Sequence, residues 1–205
     1  MSDAVNGDAV KRQRAVVSAG AGLTGGISRE HELRKIGQSG RWYDGDMNAQ
    51  ELLTQPFAYM PPEKALDGLS PEDADRRVDG ASHSIAEIVA HLAFWQDWFR
   101  KRCEGIDEPM APAAALGWPA VAPGSWPQVQ RHFLDGLAAL VALEQDAGRL
   151  DAPLAPAIDF PPLAAYTRRD VLVHMAQHNS HHLGQVILLR QIMSLWPPPA
   201  GSWTW

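Results

Sequence analysis

The chain has 205 residues, 45% of them hydrophobic, and a formal net charge of −6. The length suits one folded domain with a tail, long enough to bury a real core. The acidic balance, without any dense Lys/Arg cluster, argues against a nucleic-acid or anionic-membrane partner, and no apolar run is long enough to span a bilayer.

Residues 1–46 are polar, contain Gly and Ser, and lack apolar periodicity, so they read as a disordered N-terminal extension. Within them, residues 11–26 place basic residues before a short apolar stretch. That stretch is too short and Gly-rich for a signal peptide. The single cysteine, Cys103, cannot form an intramolecular disulfide, which fits a reducing compartment, and a cytoplasmic protein is expected. Met47 opens the patterned region and could itself be the translation start, so the folded domain is expected over 47–205.

Four helices are expected there. The first begins near Asn48 and carries Leu52, Leu53, Phe57 and Met60, with Pro56, Pro61 and Pro62 making it short, kinked or split. Ser70-Pro-Glu-Asp73 opens a short helical turn. Ser84 with Glu87 three residues later is a capping box. It starts a second helix to about Arg102, with Ile85, Ile88, Leu92, Trp95 and Phe99 at helical spacing. Residues 103–124, rich in Pro, Ala and Gly, read as a long crossing loop. Ser125-Trp-Pro-Gln128 reads as another capping box, opening a third helix to about Asp146, with Gly148 as a stop signal. A Pro-rich loop follows. Thr167-Arg-Arg-Asp170 caps the last helix, which is expected to reach about Leu195 before three prolines. No strand pattern and no repeat is present. Four helices joined by two long loops predict an all-α fold, a four-helix bundle with crossover connections.

The chemistry concentrates in histidines. His178 and His182 are four residues apart, which puts both on one face of the last helix, one turn apart. At about 100° per residue, Val171, Met175, His182, Val186 and Leu189 share one apolar arc, with His178 at its edge. On the second helix His91 lies between Ile88 and Trp95 and also points inward. Three nitrogens converging in a bundle core, with an open position, are the usual plan of a catalytic metal site. The ordinary alternative is that each inward imidazole bonds a backbone carbonyl or a buried water. His174 and His181 are expected to be solvated or to support the ligands from behind, and His31 and His132 to lie on the surface. His83, next to Ser84, and Glu87 read as capping residues. Cys103 reads as a small apolar filler, and Phe94, Trp95, Trp98 and Phe99 as core and pocket wall.

The pairing of Ser84-Ile-Ala-Glu-Ile-Val-Ala-His91-Leu with His178-Asn-Ser-His-His182-Leu-Gly184-Gln185, and the ending Leu195-Trp-Pro-Pro-Pro, resembles the DinB/YfiT-like family over roughly 47–205. The resemblance implies a four-helix bundle with a long crossover. It also implies a divalent metal ion, zinc or nickel, held by His91, His178 and His182, and a homodimer. Some members of that family are similar to thiol S-transferases acting with bacillithiol, mycothiol or glutathione. Many of its members carry Arg where this chain has Leu183, so a positive charge is missing near the site, and the extension 1–46 has no counterpart in the family.

Three functions stand side by side. The first is an enzyme, a metal-dependent transferase of a low-molecular-weight thiol to a small molecule, or a metal-dependent hydrolase. The second is a stress-linked metal-binding protein without turnover, expected if a fourth protein ligand such as His181 or Glu87 closes the site. The third is a packing module without metal, expected if each imidazole bonds backbone.

Overall fold

Prolines and capping residues divide the chain into its helices. The computed structural model describes residues 48–54, 60–199 and 201. The extension 1–46, His31, Pro56 and Phe57 lie outside the described residues. Helix α1 spans Ala49–Thr54. The Asn48 side chain accepts from the Glu51 amide at 3.0 Å, satisfying one of the donors that a helix start leaves without a partner. Of the outcomes expected there, short, kinked or split, α2 shows a fresh start at Pro62 and runs to Leu66 with proline in its first turn. Helix α3, Pro71–Asp75, is capped by Ser70, whose hydroxyl accepts from the Asp73 amide at 3.1 Å.

Helix α4, Ile85–Cys103, has its full capping box: the Ser84 amide donates to Glu87 Oε2 at 2.8 Å and the Glu87 amide to Ser84 Oγ at 3.3 Å. Helix α6, Arg168–Ile192, is capped in the same way by Thr167 and Asp170. Helix α5, Trp126–Ala142, departs from expectation. Ser125 makes no side-chain cap; its hydroxyl turns back and donates to the Ala122 carbonyl at 2.6 Å. The helix stops short of Asp146 because the chain tightens into 3-10 turns over Leu143–Gln145 and Ala147–Arg149. Helix α6 ends before Leu195 because Ser194 adopts a left-handed conformation, φ 60°. The Leu195 amide then folds back to the Arg190 carbonyl at 2.8 Å, a closure typical of helix ends.

Helix α4 packs against α5 and α6, and α1 packs against the same two. The four form an all-α bundle with α1 and α4 on one diagonal, joined by the long connections 104–125 and 143–167. No strand occurs among the described residues; Pro153 and Thr167 form an isolated bridge. Leu53, Leu92, Phe99, Trp126, Phe133, Leu140, Leu172, Met175 and Val186 are buried at the centre. Each such large apolar side chain contributes about 1.5–3 kcal/mol relative to exposure. Among the described residues no helix is long and apolar enough to cross a membrane.

Three buried arginines, not anticipated from the pattern, tie the connections to the helix ends. Arg168 Nη2 donates to the Cys103 carbonyl at 2.9 Å, closing the end of α4 against the start of α6. Arg102 donates to the Pro156 and Ala157 carbonyls at 2.9 and 2.7 Å, and Arg190 to those of Ala65 and Asp67 at 2.6 and 2.9 Å. A guanidinium carries five donors in a fixed fork, so each can satisfy several loop carbonyls at once.

Candidate metal centre

The fold brings together the three histidines singled out by their inward direction. His91 on α4 and His182 on α6 are buried, and His178 on α6 is half-buried. One ring nitrogen of each lies within 4.8 Å of the others, and the ring centroids are 4.7 to 5.1 Å apart. His91 Nε2 faces His178 Nε2 at 3.2 Å. Nitrogens bound to one zinc ion at about 2.0–2.1 Å in a tetrahedron stand roughly 3.4 Å apart, a spacing within reach of small ring rotations here.

The second nitrogen of each ring decides between a ligand set and ordinary packing. His91 Nδ1 lies 2.6 Å from the Gly117 carbonyl. A carbonyl only accepts, so Nδ1 carries the hydrogen and the neutral ring turns a lone pair at Nε2 toward the centre. His182 Nδ1 lies 2.7 Å from Gln185 Oε1, with the same consequence. Such outer bonds fix the tautomer and the ring orientation of metal-binding histidines. His178 Nδ1 is buried with no hydrogen-bond partner among the described residues. Of the three imidazoles, only His91 bonds backbone among the described residues, and it does so through the nitrogen turned away from the others. The three inward nitrogens form a donor set that fits a divalent ion of zinc's type.

Burial also keeps the rings neutral. It pulls the His91 imidazole down to about 4, and the neighbouring imidazoles add to the effect. It pulls His178 down to about 3, with His182 and His91 contributing repulsion. His182 is lowered for the same first reason. Neutral imidazole is the form that binds a metal.

The other candidates separate clearly. His181 is exposed and stands outside the convergent group. Glu87 caps α4 and pairs with Arg77 at 2.5 Å. No fourth protein ligand joins the three among the described residues. His132 is exposed, as expected, 3.5 Å from Asp97. His174 is half-buried rather than freely solvated: its Nδ1 meets the Tyr166 hydroxyl at 3.0 Å and its ring packs on Phe99. His83 does more than flank the cap, because its ring stacks on Trp118 at 3.7 Å. Cys103 is buried and its thiol is pushed up to about 12, as suits an inert filler. Leu183 is buried in the core.

Two residues of the site carry no periodic signal in the sequence. Trp118 lies flat on His91, with ring centroids 3.9 Å apart, and so stands between His91 and His83. Gly117 supplies the carbonyl that orients His91, and a Cβ there would meet the Trp95 indole at 2.7–2.9 Å. Both belong to the crossing loop, at the end of a 3-10 turn over Ala114–Gly117. Trp95 also meets His91 edge-on, so the expected aromatic wall is present.

Residues 62–186, more than half of the chain, match the DinB superfamily. No curated protein matches the chain.

Proposed function

Since the chain belongs to the DinB superfamily, we propose that it holds one divalent metal ion, zinc or nickel, through His91, His178 and His182, and acts as a metal-dependent transferase of a low-molecular-weight thiol to a small molecule. The observation that supports this reading is the convergence of three neutral imidazoles from two helices, with no fourth protein ligand among the described residues. The missing fourth ligand favours an open, reactive position over a closed storage site. When bound, the ion supplies Lewis-acid chemistry that favours the deprotonated form of a thiol or a water near neutral pH.

The protein's own groups do the rest. Gly117 and Gln185 hold the His91 and His182 rings in the tautomer that presents Nε2. Trp118 and Trp95 wall the His91 side with apolar surface, which limits water around a reacting group. The same open position serves a metal-dependent hydrolase equally well, so the transferase rests on the resemblance. A homodimer and a cytoplasmic location belong to the same proposal.

The test is to mix zinc- or nickel-loaded protein with bacillithiol, mycothiol or glutathione and an electrophile such as a chloro-dinitrobenzene, and in parallel with simple esters. Thiol consumption above background that vanishes in His91→Ala supports the transferase. Ester turnover alone supports the hydrolase. Full metal loading with neither reaction supports a non-catalytic metal-binding protein.

A further inference from the structure

A cavity of about 350 Å³ lies against His182 and Trp118, at the small end of the range for ligand pockets, about 300–1,000 Å³. Its apolar wall is Ile88, Trp118, Leu188 and Leu189. Its polar atoms come from the neutral side chains of Ser82 and Gln185 and from the imidazoles of His83 and His182. Among the described residues no Asp, Glu, Lys or Arg lines it. The nearby guanidinium of Arg77 is committed, donating to the Ser82 carbonyl and to Glu87 Oε1, each at 2.5 Å.

We infer that this cavity takes an uncharged carbonyl compound with a flat apolar body, and that its side chains, apart from any metal ion, discriminate against carboxylates. An anion entering this wall loses water and gains no Lys or Arg partner from the residues that line it, which is costly. A flat apolar body gains contact with the Trp118 indole and the leucines. Gln185 sets the polarity of the one directional contact. Its carbonyl oxygen already accepts from His182 Nδ1 at 2.7 Å, so its NH2 group remains to donate to a ligand carbonyl. The inference deepens the functional reading above, on which the cavity's place beside a metal rests. The neutrality of the wall stands without it.

The probes are a matched pair of the right size, 2-naphthamide and 2-naphthoate. Binding of each to the full chain is measured by calorimetry, as purified and after chelation. The chelated chain decides, because a carboxylate could ligate an ion directly. The amide is expected to bind both forms, and the carboxylate to bind the chelated form at least about 10-fold more weakly. Leu188 is 56% exposed at the rim, so a charge is tolerated there. Leu188→Arg should strengthen naphthoate about 10-fold with little effect on the amide, and Leu188→Glu should weaken naphthoate further. Equal binding of the pair to the chelated chain, no binding of the amide, or indifference of naphthoate to both Leu188 variants overturns the assignment. Failure of the chain to hold a metal would sink the functional reading and leave this comparison intact.

Discussion

The Nε2 atoms of His91 and His178 face each other across 3.2 Å. His91 Nδ1 carries the hydrogen it gives to Gly117, so the neutral His91 ring can only accept at Nε2. His178 must then either donate to it or share a cation with it. Among the described residues nothing bonds the far side of His178, so no local contact there fixes that ring in the donating form. Three inward nitrogens could thus share one cation.

A tightly held ion binds the native chain and not the unfolded one, so chelation should destabilise it. An ion at 100 times its Kd contributes about 2.7 kcal/mol, roughly 5–10 °C in Tm for a domain of this size. Thermal melts with and without chelator should differ by that order. His182→Ala should melt at one temperature in both conditions.

The metal-free chain should lose stability as acid is added, well above the pH at which carboxylates titrate. In the native state burial lowers His91 to about 4 and His178 to about 3, whereas in the unfolded chain both titrate near 6.5. Between those values the unfolded state binds more protons, so stability rises with pH across that window and falls as pH drops from about 6.5 towards 4. Urea melts of chelated protein from pH 7.5 to 4 should show this slope. The slope should flatten in His178→Ala.

Gly117→Ala should loosen the centre from a distance. Its added Cβ would meet the Trp95 indole at 2.7–2.9 Å, so the indole or the loop must give, and a loop shift carries the His91 acceptor with it. Loss of such an orienting bond typically costs about 10–100-fold in metal affinity. Competition titrations against a chromophoric chelator should read that loss while the helical circular-dichroism signal is retained. Unchanged affinity would show that Gly117 does not position His91.

A chain beginning at Met47 should fold and bind metal like the full one. Residues 1–46 carry too few periodic apolar side chains to offset the entropy of ordering them. Coincident melting curves and metal stoichiometry check this; a large loss of stability would contradict it.

Where the chain's physics is local, the sequence was readable. Ser84 with Glu87 and Thr167 with Asp170 hold their capping boxes because both partners lie within one turn. The three histidines were readable because helical periodicity gives direction. Ser125 misled because a serine hydroxyl has several acceptors in reach, and here it chose the Ala122 carbonyl. The end of α6 was misplaced because nothing in the residue type announces a left-handed Ser194. Gly117 and Trp118 could not be found, since a loop's path has no period and their role depends on contacts with α4, far away in the chain. The buried arginines escaped for a similar reason: their partners are backbone carbonyls of distant loops, which no pattern of side chains encodes.

The central claim is that His91, His178 and His182 together hold one ion. Elemental analysis tests it most directly, on protein purified without chelator and without nickel affinity, alongside His91→Ala, His178→Ala and His182→Ala. The account predicts about one zinc or nickel per chain, with the metal lost in each variant while the fold persists by circular dichroism. A folded wild-type chain that carries no divalent metal, and takes none up when zinc and nickel are supplied, would contradict it.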